Sequence, residues 1–381
     1  MGSEPIDAKP MEAPALTPLT LNNRLAGNPG QAPKYAVTVK NNAGDDVILG
    51  DPKATRALVA LMNVHAVNGG AACHWGGPAA LAEIMASIHG FMFSTNDRPW
   101  YDAYNFVNDA GHTENGVYAL RANLGFDGLT FEDLRGFRSI ESKLTGHGES
   151  HLNPEGVLLS NGPLSSAVGQ CQGLAMADKT AGNDRVTILV LSDGASMEGE
   201  AKEAFSAIPG LAAKGRVNPF VMVLSDNQTK LSGRIPADSF DMAPSFDAMQ
   251  TLGWNVVDVE QGHDLQTVYQ AIDSAVESAR ADSSKPVLVR VKTVKGYGVK
   301  ATAESASGGH GFPLKGGEKI LDFVNEIYGG EAPGELLVWA KELRAKWEAD
   351  TAAKAAASSG APAVKKGKIQ GGLAEAAIRA A

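Results

Sequence analysis

The chain has 381 residues, with 34 Lys and Arg against 43 Asp and Glu, a formal charge of −9, and 44% apolar residues. That is enough apolar mass for one large α/β domain or two smaller ones and excludes wholesale disorder, while an acidic balance without a clustered basic face argues against a nucleic-acid partner. Two cysteines exclude a disulfide framework or a four-thiolate zinc site and fit a reducing, cytoplasmic setting, and the apolar runs are strand-sized, such as Thr187 to Leu191, so none spans a membrane.

Residues 1–34, rich in Pro, Ala and polar residues without periodicity, read as a loosely held arm. Alternation over Tyr35 to Lys40, turn chemistry over Asn41 to Asp46 and an apolar Val47 to Leu49 predict a small hairpin, so that 1–50 forms an N-terminal arm before a domain over 51–350. Helical spacing follows in Pro52 to Val67 (Ala57, Leu58, Leu61, Val64) and in Pro78 to Phe93 (Leu81, Ile84, Met85, Ile88), separated by NGGAACHWGG, which is too glycine-rich for a helix.

Four short β-branched runs come next, at Val186–Leu191, Phe220–Leu224, Asn255–Val259 and Val287–Val291, with helical patterns between them. The clearest helix holds Leu265, Val268, Ile272, Ala275, Val276 and Ala279 on one face and opens with Asp264 as its N-cap. Strands alternating with helices predict an α/β fold with a parallel sheet covered by helices on both faces, and ligands then sit beyond the carboxyl ends of the strands. The turns there are SDGASMEGE and SDNQTKLSG. After a helix with Leu336, Trp339, Leu343 and Trp347, residues 351–368 read as an Ala, Ser, Pro, Gly and Lys linker, and 369–381 as the beginning of a following domain.

Asp193 and Asn227 stand in those two turns, one strand apart. A carboxylate, a carboxamide oxygen and a backbone carbonyl suit a hard cation such as magnesium or calcium that shares a phosphate-bearing ligand; the same residues would also serve as a helix cap and a turn former. Gly194 allows close backbone approach to a phosphate, and the helix beginning near Glu198 aims its positive end there. Four histidines, His74, His112, His147 and His310, lie in glycine-flanked loop stretches, whereas His65 and His89 lie in periodic apolar segments. Loop imidazoles can donate to a developing oxyanion or exchange protons. Zinc is the competing use of such residues, but no H-x-x-x-H or C-x-x-C spacing joins them.

The pair SDGASMEGEAKEAF and SDNQTKLSG resembles a thiamine diphosphate motif, and the ordered set GGAACHWGG, AGHTENGVYALRANLGFDGLTFEDLRGFRS, GHGE, EGVLLSNGPLSSAVGQCQGLAMA, GWNVVDVEQGHD and HGFPL resembles the diphosphate-binding half of transketolase over roughly residues 55–325. Ser192 stands where the family has the first Gly of GDG, GPLSSA where it has GPLGQG, and the interval from Asp193 to Asn227 is a few residues longer. The resemblance implies a parallel-sheet thiamine diphosphate fold, with Asp193, Asn227 and the Thr229 carbonyl on a divalent metal, and His112, Gly194, Asn227 and His310 on the cofactor. It implies that Gly162, Pro163 and Leu164 line the cofactor's pyrimidine. His74, His147 and His310 would act on substrate hydroxyls and protons, and Glu198 would join an acidic subunit interface. The implied activity is transfer of a two-carbon ketol unit between a ketose phosphate and an aldose phosphate, in the pentose phosphate pathway of carbohydrate metabolism. A pyrimidine-binding domain or subunit would complete the site, in a homodimer or heterotetramer. A 2-oxo-acid dehydrogenase decarboxylating component and a non-catalytic binding subunit are the alternatives.

Overall fold

The computed structural model describes residues 24–95 and 97–358; the expected start of a following domain, 369–381, and residues 1–23 of the N-terminal arm lie outside them. The hairpin is present: β1 (Ala36–Lys40) pairs antiparallel with β2 (Asp46–Gly50), Val39 facing Val47. Gln266 exchanges two 2.7 Å hydrogen bonds with the Lys40 backbone and ties the hairpin to helix Leu265–Ala281.

The central sheet holds β3 (Tyr104–Asn108), β4 (Val186–Ser192), β5 (Phe220–Asp226), β8 (Asn255–Val259) and β9 (Val287–Lys292), all parallel, in the order β3-β4-β5-β9-β8. The two-residue strands β6 (Thr229–Lys230) and β7 (Gly233–Arg234) form a tight ribbon after β5. Strands buried on both faces must be apolar on both, which is why β4 and β5 read as continuous Val/Ile/Leu runs. Ile188, Val190, Val221 and Val223 pack on one side with helices Ala82–Phe93, Glu114–Leu124 and Leu265–Ala281. Leu189, Leu191, Met222 and Leu224 pack on the other with helices Ser166–Ala181 and Gly199–Ala212. A third cluster joins helix Pro52–Asn68 to helices Ile320–Tyr328 and Gly334–Ser358.

Three details depart from the sequence reading. The strand β3 has no apolar run to announce it, because Asn105 and Asn108 interrupt Tyr104, Phe106 and Val107; Asn105 is tolerated since its Nδ2 donates to Asp178 (2.6 Å) and to Thr187 (3.2 Å). The single helix expected over Pro78 to Phe93 is two, Gly76–Ala80 and Ala82–Phe93, so the glycine-rich loop turns helical at Gly76. The last helix runs on to Ser358, because the Ala-rich stretch after Thr351 is a strong helix former even without a buried face. Asp264 caps its helix as expected, its carboxylate accepting from the Thr267 amide at 2.7 Å. Among the described residues no helix is long and apolar enough to cross a membrane, and Cys73 and Cys171 are buried free thiols.

Candidate functional site

Strands β3, β4, β5 and β9 all release the chain at the same sheet edge, and the segments that follow them wall a cavity of about 420 Å³. Its lining includes His112 after β3, Ser192 at the end of β4 with Asp193 and Gly194 after it, Asn227 and Thr229 after β5, and Lys295 after β9. The crossover topology alone brings these four segments together.

Asp193 is 1% exposed. Its Oδ1 accepts from the Gly194 amide at 2.7 Å, and its Oδ2 accepts from Asn227 at 2.8 Å and from Gln228. Burial, and then the neighbouring Asp226 charge, push its carboxyl up to about 7 in spite of those three donors. Asn227 Oδ1 accepts from the Thr229 amide at 3.1 Å, and the Thr229 carbonyl faces inward to accept from Lys295 Nζ at 3.2 Å. Burial pulls the Lys295 ammonium down to about 8, although the Asp193 charge works against that fall. An ammonium thus stands against the carbonyl expected to bind a metal. Asp226 is itself ion-paired, with Arg290 Nε at 2.8 Å and Lys292 Nζ at 2.7 Å.

The loop histidines converge. Backbone bonds from Trp75 to His310 (3.2 Å), from Gly76 to Gly309 (2.8 Å) and from Phe312 to Cys73 (2.9 Å) zip the two histidine loops together. A side chain at Gly76 would overlap the Gly308 carbonyl, so glycine is required at that crossing. The rings of His74, His112 and His310 then sit 5.1–5.3 Å apart, centroid to centroid. Burial, and then the neighbouring imidazoles and Lys295, hold all three imidazoles below their usual range, with His74 and His310 at about 4. They are neutral at pH 7 and can act as donors or acceptors. His310 Nδ1 is buried without a hydrogen-bond partner among the described residues.

His147 reaches the same cavity from a loop held by a buried polar network. Asn161 accepts from the Gly148 amide at 2.7 Å and donates to Glu114 at 3.1 Å, and Glu114 accepts from Asn108 at 3.0 Å. Gly162 and Leu164 line the cavity, while Pro163 is exposed and outside the lining. Their turn is anchored by Asp109, whose carboxylate accepts from the amides of Ser165 (2.9 Å) and Ala167 (3.1 Å). Glu198 is exposed at the cavity mouth and begins helix Gly199–Ala212. His74 meets the other rings but does not itself line the cavity.

Sequence reasoning missed Lys295, Asp109, Glu114 and Asn161. Lys295 had a legible signal, since a lysine between two short apolar residues just past a strand end lies where ligands bind. The other three carry none, because buried polar partners are set by tertiary contact. Among the described residues no three His, Cys, Asp or Glu side chains converge as a metal-binding group; the Asp193, Asn227 and Thr229 set is instead one carboxylate, one carboxamide and one carbonyl.

Residues 52–366 match the family model of the transketolase thiamine diphosphate binding domain. The transketolase of Rhodobacter capsulatus is 31% identical over 303 residues, covering 77% of this chain and 42% of that protein. Transketolase 1 of Vibrio cholerae is 31% identical over 312 residues, covering 78% and 44%. The solved transketolase of Campylobacter jejuni superposes with a TM-score of 0.60 at 25% identity, covering 78% of this chain and 48% of that one. The chain therefore spans less than half the length of these relatives. The family match over most of the chain, and the meeting of the motif residues at one sheet edge, place the chain in the transketolase family, as its thiamine diphosphate binding domain.

Proposed function

We propose that the chain binds thiamine diphosphate together with a divalent cation, magnesium or calcium, and that with a pyrimidine-binding domain or subunit it transfers a two-carbon ketol unit between a ketose phosphate and an aldose phosphate. The observation that carries this reading is the meeting of His112, His147 and His310 with the Asp193, Asn227 and Lys295 segments around one cavity, with the His74 ring packed against His112 and His310.

The donor set fits the groups proposed. Asp193, Asn227 and Thr229 offer hard oxygens, and the position of the Lys295 ammonium against Thr229 supports a place made for positive charge. Lys295 and Gly194 line the cavity, as His112 and Asn227 do, so an amine, a backbone amide, an imidazole and a carboxamide are available to diphosphate oxygens. Gly162 and Leu164 offer an apolar wall for the pyrimidine, and Pro163 shapes that turn from outside. Thiamine diphosphate, when bound, supplies the electron sink for breaking a carbon–carbon bond. The role proposed for His74, His147 and His310 is to donate to sugar hydroxyls and to accept or return protons there. Neutral imidazoles suit it, since each can do either.

Leu164 and Leu231 are 40% and 67% exposed among the cavity-lining residues, which supports a completing domain or subunit closing over this face. Glu198 would stand at that interface, in a homodimer or a heterotetramer. The acidic composition and the two free thiols support a cytoplasmic setting.

The test is to assay the 381-residue chain with cofactor, magnesium and a ketose–aldose pair, alone and with a pyrimidine-binding domain added. Activity that needs both parts supports the reading. Full turnover by the chain alone refutes the shared site, and none in either mixture favours a binding subunit.

A further inference from the structure

His263, in the QGHD turn between β8 and helix Leu265–Ala281, is far in sequence from the four loop histidines and lines no part of the cavity described above. Its ring is nonetheless held on three sides. Nε2 accepts from the Val294 amide at 2.8 Å, Nδ1 lies 3.1 Å from Glu83 Oε2, and one face stacks on Tyr297 with centroids 3.6 Å apart and planes 3° from parallel. Glu83, 3% exposed, is paired in turn with Arg56, whose Nε donates to the Ala79 carbonyl at 2.9 Å.

These bonds fix the tautomer. An amide can only donate, so Nε2 must be unprotonated, and the ring proton sits on Nδ1 facing the Glu83 carboxylate. They also fix a piece of chain. The amide of Thr293 makes the last bond to β5, at 3.1 Å to the Asp226 carbonyl, and from Val294 onward the backbone leaves the sheet. His263 takes the first amide beyond the ladder, and the Gly296 amide docks on the Gly76 carbonyl at 3.0 Å. Lys295 lies between these two anchors.

We propose that His263 is a positioning residue: by fastening Val294 it holds the segment Thr293–Gly296 so that Lys295 Nζ stands buried against the Thr229 carbonyl, ready for the cofactor's diphosphate. The inference rests on the thiamine diphosphate reading for the identity of the ligand, but the fastening itself does not. A lysine side chain has rotamer entropy to lose when it is held, and an ammonium leaves water reluctantly, so an unfastened segment would let Lys295 swing outward. Glu83 and Arg56 act one step further back, keeping the acceptor nitrogen free.

The experiment uses the full chain and the variants His263→Phe, which keeps a ring on Tyr297 but loses both hydrogen bonds, and His263→Gln, which restores an acceptor. Trace acylation of lysines, read by peptide mass spectrometry against exposed Lys53, should label Lys295 at least tenfold faster in His263→Phe and within threefold of the unaltered rate in His263→Gln. Calorimetric titration with thiamine diphosphate and magnesium should show at least tenfold weaker binding for His263→Phe, and less than a threefold further effect once Lys295→Met is present, since the histidine acts through the lysine. Unchanged Lys295 labelling, or an equal binding loss in both backgrounds, overturns the proposal. If His263→Phe does not fold, hydrogen exchange on the unaltered chain decides: a protected Val294 amide upholds the fastening and free exchange overturns it. An unaltered chain that binds neither thiamine diphosphate nor pyrophosphate refutes the functional reading, while labelling and exchange still decide the fastening.

Discussion

Asp193 shows how burial sets the chemistry of a single carboxyl. With its carboxyl raised to about 7, it takes up a proton near neutrality when no cation faces it. A divalent cation needs the carboxylate, so cation binding should release a proton and weaken as pH falls below 7. Titration with magnesium and thiamine diphosphate in buffers of different ionisation enthalpy should detect that proton, and Asp193→Ala should remove binding altogether. For Lys295, whose buried ammonium donates to the Thr229 carbonyl, Lys295→Met should weaken diphosphate binding by roughly tenfold to a hundredfold, as expected for a lost charge-assisted bond. Replacing His74, His147 or His310 by Ala should slow ketol transfer by about a hundredfold or more in the completed enzyme, with melting temperatures near that of the unaltered protein, since loop positions carry little packing energy.

At the level of elements, helix Ser166–Ala181 is capped in an unusual way. The residue before it, Ser165, adopts φ +71° and makes no side-chain cap. The cap comes from Asp109, just past β3, so the turn that holds Gly162 and Leu164 and the His112 loop are fastened through one buried carboxylate. Burial pushes that carboxyl up to about 6. Asp109→Ala should therefore cost about 2 kcal/mol or more, the upper end for an N-cap, because it also strands two amides away from water. Ser165→Gly should instead stabilise by about 0.5–1 kcal/mol, since a left-handed backbone strains any residue with a Cβ. Urea unfolding of the two variants checks both signs. The elements that sequence periodicity revealed, β4, β5, β8, β9 and the helices beside them, all have a repeating apolar face. The strand β3 escaped notice because what fixes it is a partner, Asp178 for Asn105, rather than a pattern.

For the molecule as a whole, protonation links several distant groups to stability. Burial lowers His65, His74 and His310 to about 4, below the 6.5 of an unfolded chain. The unfolded state thus binds more protons between pH 6.5 and 4, so their contribution is complete above 6.5 and is lost as pH falls toward 4. Asp109 and Asp193, raised to about 6 and 7, work the other way, favouring the fold at low pH and losing that contribution as pH rises through those values. His89, His112 and His147 are lowered as well, and Asp51 and Glu114 raised, so the lowered histidines outnumber the raised carboxyls and predict a net loss of stability from pH 6.5 to 4.5. His65 accepts from Trp339 Nε1 at 2.8 Å in the third core cluster, away from the cavity, so His65→Gln should flatten that pH dependence without touching the site. Urea midpoints measured across the range test it.

The sequence by itself determined the alternation of strands and helices, the turns beyond β4 and β5, the loop histidines and, through ordered motifs, the family. These are local properties, fixed by periodicity, glycine placement and residue type within a few positions. Only the tertiary structure decided that β9 enters the sheet between β5 and β8, which carries Lys295 into the cavity opposite Asp193. It alone decided that His74 and His310, more than 230 positions apart, meet at 5.1 Å. The reason is physical: a buried polar group must find its partner wherever the crossovers deliver one, and no spacing along the chain records which segment that is.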